Sequence, residues 1–285
     1  MKAVIHLDLG AFHLRATLKP AAPGWGRVLL ARRKPAEAMQ AAPLTEAASW
    51  APGATRADTL GALLEACKQA LQALRARHPK PLDGCRVVVR TGVSTSYLGI
   101  APMDLSSAST RSEQQLRTVA KALAQEALGA DAAGHEVRWR MEADQAHLCV
   151  LTLESALVAG LQVLAQDQRM KLASCQPAIA ELLDSELEKS RRQRDARTLV
   201  WTEPDASGLR HAALGFVRVV KGSAVNAWRT VTPPPSTGSD PWLQPALDRF
   251  LIASGAGLDE QVVPCAWPAQ VTEASIPAAA MELAA

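Results

Sequence analysis

In the stretch VIHLDLGAFHLRATLK, which runs from Val4 to Lys19, an Asp-x-Gly turn (Asp8, Leu9, Gly10) separates two segments that alternate apolar and polar residues. Such a turn can serve phosphate chemistry. Glycine lets backbone amides approach an anion, and an aspartate can orient a metal-bound water. Arg15, further along, is a cation that could meet the phosphate. Aspartate and glycine also suit any hairpin turn, so the pattern alone leaves a purely structural role open.

Other catalytic patterns are missing. Ser94 and Ser96 follow Gly92, but the second glycine of a G-x-S-x-G elbow is absent. There is no G-x-x-x-x-G-K-[ST] loop, no G-x-G-x-x-G after a strand and no H-E-x-x-H pair, which argues against P-loop, Rossmann and zincin chemistry. His6 and His13 lie on expected strands, where single histidines are usually structural. The five cysteines, at positions 67, 85, 149, 175 and 265, include no CxxC pair. They read as reduced, mostly buried thiols of a cytosolic protein, and the scattered histidines offer no Cys/His metal cluster. With 31 basic and 28 acidic side chains the net charge is +3, which gives no case for nucleic-acid binding. The opening MKAVIHLDLG is not a signal peptide, and no stretch approaches the ~20 apolar residues of a membrane span. The expectation is a chain that reaches a membrane only through a partner.

The elements that would position these residues follow from periodicity. Residues 2–9 and Phe12 to Leu18 read as strands, followed by a third at Arg27 to Ala31 and an irregular loop over 35–57. Asp58 suits the N-cap of a helix with Leu60, Leu63, Leu64, Cys67, Leu71 and Leu74 at helical spacing, stopped by Pro79 and Pro81. Cys85 to Val89 and Tyr97 to Ile100 are short strands. Thr110 and Glu113 have capping-box spacing before a helix carrying Leu116, Val119, Ala120, Leu123 and Leu128. Val137, Trp139 and Met141 alternate with Arg138 and Arg140 on a half-exposed strand, and His147 to Leu153 is a buried one. A helix follows with Leu157, Leu161 and Leu164 as its stripe, then a strand at Leu172 to Cys175 and a helix over Ile179 to Lys189. The charged run EKSRRQRDAR at 188–197 suits a lobe boundary, or equally a solvated helix end. Beyond it, Thr198 to Trp201 and Leu209 to Val220 are strands, separated by a turn over 204–208. A loop occupies 232–241, a helix Trp242 to Arg249, and a last strand Phe250 to Ala253 precedes Ser254-Gly255-Ala256-Gly257; the Ala- and Pro-rich tail is expected to fray. Two halves echo each other, each opening strand–turn–strand before helices.

LDLGAFHLRATLK resembles the first phosphate motif of the actin-like ATPase superfamily, in the branch of PilM-like and GspL-like proteins of type IV pilus and type II secretion systems. In that branch the motif is roughly Asp-x-Gly followed by a lysine; Asp8 and Gly10 match, and Arg15 stands in the lysine's place. The order of elements over residues 85–180, ending in Cys175-Gln176-Pro177, is similar to the same branch. Together the likeness covers about two thirds of the chain. The last third departs from it. Where a second Asp-x-Gly turn should open the second lobe, Asp205 and Gly208 stand three apart, and Ser254 to Gly257 matches the Gly-rich adenosine loop only loosely.

The resemblance implies an α/β, actin-like (ribonuclease H-like) two-lobed fold: mixed sheets, flanking helices and an inserted small subdomain. The first lobe would span 1–197, with the insertion at about 92–154, and a shortened second lobe 198–285. It implies a reduced nucleotide site with Asp8, Gly10 and Arg15 on the phosphates and Gly255 and Gly257 at the adenosine, with ATP and magnesium as the cofactors such a site would take; no catalytic residue and no metal ligand set is assigned. The implied function is a non-catalytic scaffold of a pilus or secretion-system inner-membrane assembly platform. Its partner would be the cytoplasmic tail of a single-span inner-membrane pilus or secretion protein, with a secretion ATPase as a further contact, and it would be cytoplasmic and peripheral to the inner membrane. A nucleotide-binding ATPase or kinase-like enzyme of the superfamily is the alternative, and a stand-alone binding domain is a third.

Overall fold

The computed structural model describes residues 3–19, 44–78, 81–92, 95–102, 112–142, 147–181, 183, 195–204, 211–220, 224–231, 242–257 and 260–266. The strand expected at Arg27 to Ala31, the connector at 188–194, the turn at 205–208, the loop over 232–241 and most of the tail lie outside these residues. So does most of the helix expected over Ile179 to Lys189. The chain divides into two compact units, Met1–Arg90 with Leu157–Gln176, and Thr91–Ala156 with Pro177–Ala285.

The first unit is built on one five-stranded sheet and two helices. Strands β1 (Val4–Leu9), β2 (His13–Lys19) and β3 (Leu44–Ser49) form an antiparallel meander, and β4 (Arg86–Thr91) and β8 (Lys171–Pro177) complete the order β3-β2-β1-β4-β8. β3 falls in the stretch read from sequence as loop; its mostly half-buried, Ala- and Ser-containing pattern carries little alternation, and pairing with β2 supplies the backbone bonds instead. The alternation in β1 sends Ile5, Leu7 and Leu9 into the core and His6 and Asp8 to the other face. Helix α1 (Arg56–Arg77) buries Leu63, Ala66, Cys67, Ala70, Leu71 and Leu74 at helical spacing in the same core. Its N-cap is Thr55 rather than Asp58. The Thr55 hydroxyl accepts from the Asp58 amide, and Asp58 accepts in return from the Thr55 amide, a capping box that places the aspartate at N3. Helix α3 (Ser155–Asp167) adds Leu157, Leu161 and Leu164. At Gly160 an added Cβ would lie 2.4 Å from Leu64 Cδ1, so the absence of a side chain sets how closely the two helices approach.

The second unit repeats the theme. Strands β9 (Arg197–Pro204), β10 (His211–Val220) and β11 (Ala224–Val231) form a second antiparallel meander, and β12 (Gln261–Ala266) returns parallel to β9, giving the order β11-β10-β9-β12. This is the β3-β2-β1-β4 arrangement again, with a helix in the same place between third and fourth strands. That helix is α4 (Leu243–Ser254), and it absorbs Phe250 to Ala253, expected as a strand. Leu243, Leu247 and Phe250 recur at i, i+4 and i+7, and the Phe250 ring stacks on Phe216 with centroids 5.5 Å apart, so the helical period buries what a strand would leave half exposed. The segment 261–266, expected as frayed tail, is held by pairing with β9.

A three-stranded antiparallel sheet, β5 (Ser96–Pro102), β7 (His147–Glu154) and β6 (His135–Met141) in the order β5-β7-β6, belongs to the second unit. One face packs Leu148 and Val150 against Ala120 of α2 (Glu113–Leu128); the other joins Leu98 and Cys149 to Leu199, Trp201 and Val217 of the second sheet. α2 is capped by Ser112 and Gln115, the Ser112 hydroxyl accepting from the Gln115 amide one turn on; of the expected pair, Thr110 lies outside the described residues and Glu113 is the first residue of the helix. Glu142, 4% exposed, accepts from Arg140 Nε at 3.0 Å and from the Val225 amide at 3.2 Å, tying the end of β6 to the start of β11.

Burial in the first unit raises the Cys67 thiol from its ordinary 9.0 to about 12, with the nearby Cys175 thiol adding to the effect. A raised acid means the folded state keeps its proton where the unfolded chain loses it. Stability is therefore full below pH 9 and falls as pH rises toward 12. Cys67→Ala should flatten this alkaline loss, measured as the urea midpoint against pH; an unchanged slope would show that Cys67 is not its source.

Candidate functional site

Asp8 is 2% exposed on the β1 face away from the leucine core. Arg90, on the neighbouring β4, donates from Nε to Asp8 Oδ1 at 2.5 Å. Taking both charges out of water costs several kcal/mol each, which a close pair in good geometry offsets. The carboxylate of the phosphate motif is thus held by an arginine that sequence reading did not single out. The only trace of it is an arginine that directly follows the three valines Val87 to Val89.

The turn itself lies one step later than Asp8-Leu9-Gly10. Asp8 is still in strand, opposite Arg15, and Leu9 is opposite Leu14. The turn is Gly10 to His13, closed by the Gly10 amide donating to the His13 carbonyl at 2.8 Å. Phe12, its third residue, has φ +60°, a left-handed conformation that costs an L side chain about 1 kcal/mol. Its ring meets Trp50 edge-on at 6.3 Å, and the Trp50 amide donates to the Phe12 carbonyl at 3.0 Å, which holds the strained residue in place. A Cβ on Gly10 would lie 2.3 Å from the His13 imidazole, so glycine is required here by the ring packed over it. His13 Nδ1 lies 3.1 Å from the Ala11 carbonyl, and since a carbonyl only accepts, that nitrogen carries the proton. Arg15 shares Asp8's face of the sheet as its direct cross-strand neighbour and is half-buried.

Gly255 and Gly257 lie in the second unit. Gly255 (φ +69°, ψ +32°) ends α4 in the left-handed region, with its amide donating to Ile252 and the Ala256 amide to Leu251 at 2.9 Å. Only glycine takes that conformation without cost. The Gly257 carbonyl accepts from the Glu260 amide at 3.1 Å. Arg218 forks onto Glu260, with Nε and Nη2 each 2.9 Å from Oε2, and donates from Nη1 to the Ser254 carbonyl at 2.6 Å; Thr198 Oγ1 donates to Glu260 at 2.9 Å. The 254–257 loop is therefore pinned between the end of α4 and the start of β12. The structure brings Asp8, Gly10 and Arg15 together on one hairpin, and places Gly255 and Gly257 on one loop.

Glu203 was missed. It is the second-last residue of β9, as Asp8 is of β1, and these two strands are the first of the two repeated meanders. Glu203 is completely buried, and a Cβ on Gly92 would lie 2.4 Å from its Oε1. The Gly92 carbonyl accepts from Ser96 Oγ at 2.7 Å. Glu203-Pro204 does not have the Asp-x-Gly form; its usable signal is a carboxylate near the end of the first strand of the second half. Among the described residues no cluster of acidic, cysteine or histidine side chains could hold a metal ion.

No sequence-family model matches this chain, and no curated protein does. Solved structures do. A protein of unknown function with an actin-like ATPase fold from Bacteroides thetaiotaomicron superposes with a TM-score of 0.50 at 8% identity, over 92% of this chain and 81% of that one. The cytoplasmic domain of EpsL, an inner-membrane component of the type II secretion system of Vibrio cholerae, gives 0.48 at 9% identity, over 93% and 83%. A PilM–PilN type IV pilus biogenesis complex gives 0.47 at 15%, over 88% and 68%. The chain has the actin-like ATPase fold, as the opening motif implied.

Removing one partner of the Asp8–Arg90 pair leaves the other charge buried. Asp8→Ala and Arg90→Ala should each cost about 3–5 kcal/mol in urea unfolding, and the double variant clearly less than their sum. Strict additivity would show that the two groups do not interact. Gly92→Ala should likewise destabilise through Glu203, and Glu203→Ala should restore much of that loss; no recovery would place the clash elsewhere.

Proposed function

We propose that the protein is a non-catalytic actin-like scaffold of a pilus or secretion-system assembly platform, working at the cytoplasmic side of the inner membrane. It would bind the cytoplasmic tail of a single-span membrane protein, with a secretion ATPase as a second contact. The observation that carries the non-catalytic reading is the commitment of the first motif to its own fold. Asp8 is buried against Arg90, and the Gly10 amide is spent on the His13 carbonyl beneath the imidazole. In this reading the motif does not fit a magnesium-bound nucleotide, because a phosphate clamp needs amides and a carboxylate turned toward the ligand. The pilus and secretion context comes from the likeness of the opening motif and of the element order. Among the described residues no helix is long and apolar enough to cross a membrane, in keeping with attachment through a partner.

One observation favours a nucleotide-dependent enzyme instead: Glu203 supplies a carboxylate at the second unit's counterpart of the Asp8 position. A thermal-shift titration separates the two readings, since a ligand that binds only the folded state raises its apparent stability. The scaffold reading expects no saturable rise with millimolar MgATP or MgADP. A saturable rise that is lost in Glu203→Gln would replace it with the enzyme. Affinity capture from native membranes should recover a single-span pilus or secretion protein; recovery of neither class would remove the partner assignment.

A further inference from the structure

We propose that β6 is a self-association edge, through which two copies of this chain join their three-stranded sheets into one six-stranded sheet about a two-fold axis at Val137. β6 is the outer strand of β5-β7-β6, so among the described residues one row of its backbone N–H and C=O groups has no strand partner. Soluble proteins usually blunt such an edge with proline, charged side chains (lysine above all) or a bulge; His135-Glu136-Val137-Arg138-Trp139-Arg140-Met141 has no proline or lysine, its charges are of mixed sign, and its pairing with β7 runs without a shift of register.

The occupant is read from the order of side chains. In an antiparallel pair, directly opposed residues share a face, so a two-fold axis normal to the sheet must lie midway between one residue and its own copy, and that residue names the register. Through Glu136 it would set acid on acid. Through Arg138 or Arg140 it would set arginine on arginine, and through Trp139 it would pair Arg138 with Arg140 twice. Through Val137 no like charges meet. Val137 then opposes itself, Glu136 opposes Arg138 twice, and His135 opposes Trp139 twice. The strand is a palindrome of complementary chemistry: aromatic, acid, valine, base, aromatic. Cross-strand pairs of these kinds each stabilise a sheet.

Exposure agrees with this placement. The side chains of Glu136 and Arg138 are 46% and 82% exposed on the face away from α2, and within one copy they already pair at 3.4 Å. A groove of about 580 Å³ runs along this edge, lined by His135 to Trp139 of β6, Glu136 and Arg138 included, with Glu113, Arg117 and Lys121 of α2 as its far wall. A second copy's strand would close the open side of that groove. The inference uses only the edge and its register, and stands apart from the assignment of a pilus or secretion partner.

Charge reversal tests it on the full chain by sedimentation velocity over a concentration series. Wild type should show a reversible monomer–dimer equilibrium. Glu136→Arg and Arg138→Glu, both at exposed positions, should keep the wild-type circular dichroism and each weaken association by about tenfold or more, because two attractive pairs become two like-charge pairs. Mixing the two variants makes every cross-strand pair complementary again, so the mixture should form a heterodimer of near wild-type strength. A wild-type chain that stays monomeric throughout, a dimer indifferent to either reversal, or a mixture that does not associate would each overturn the proposal.

Discussion

Burying a carboxylate without a partner costs more than most domains can spare, and Asp8 sits 2% exposed on a strand whose other face is Ile5, Leu7 and Leu9. Arg90 makes that position tolerable. The pair joins β1 to β4 at the centre of the five-stranded sheet, where the order passes from the antiparallel meander to the strands that follow helices. The local features of the hairpin are consistent with it: Asp8 stays in strand, the turn waits until Gly10, and Phe12 takes up the left-handed residue that the tight closure demands. Within the hairpin and sheet the Asp8 carboxylate meets Arg90, the Gly10 amide meets the His13 carbonyl, and the Phe12 ring meets Trp50.

The second unit solves the same topological problem with other groups. Its meander also ends the first strand on a carboxylate, but Glu203 is accommodated by the missing side chain of Gly92. Its return strand is anchored by the Arg218–Glu260 fork, which also holds the last carbonyl of α4. Repetition of a sheet order needs no repetition of sequence, because the order is set by short antiparallel connections and one helical crossover. The polar groups that stabilise each copy are then free to differ. This is why an 8% identical chain from Bacteroides thetaiotaomicron can share the fold while no sequence-family model matches.

The three-stranded sheet ends in β6. One face is covered by α2 and the other by the hydrophobic cluster around Trp201, yet among the described residues its outer strand has a backbone row with no strand partner and a symmetric set of side chains. An edge of this kind is resolved in proteins either by charge that repels or by a partner that fits. On β6 the alternating signs of Glu136 and Arg138 suit a partner of the same sequence running the other way.

Where one period dominated, the sequence by itself determined the element: the β1–β2 alternation, the leucine stripes of α1 and α3, the half-exposed β6 and the buried β7. The Asp-x-Gly residues were legible for the same reason: Asp8 falls in step with the polar positions of β1, and Gly10 ends that alternation. Tertiary structure decided the rest. Short apolar runs such as Phe250 to Ala253 fit strand or helix equally, and stacking on Phe216 made this one a helix. β3 and β12 carry weak patterns and exist because a neighbouring strand supplies their hydrogen bonds. Arg90 and Glu203 stayed hidden because their meaning lies in what they meet, Asp8 at a sequence distance of 82 and Gly92 in a different part of the chain. Local pattern encodes which face of an element is apolar; which charged group finds which partner is settled only when distant strands are laid side by side.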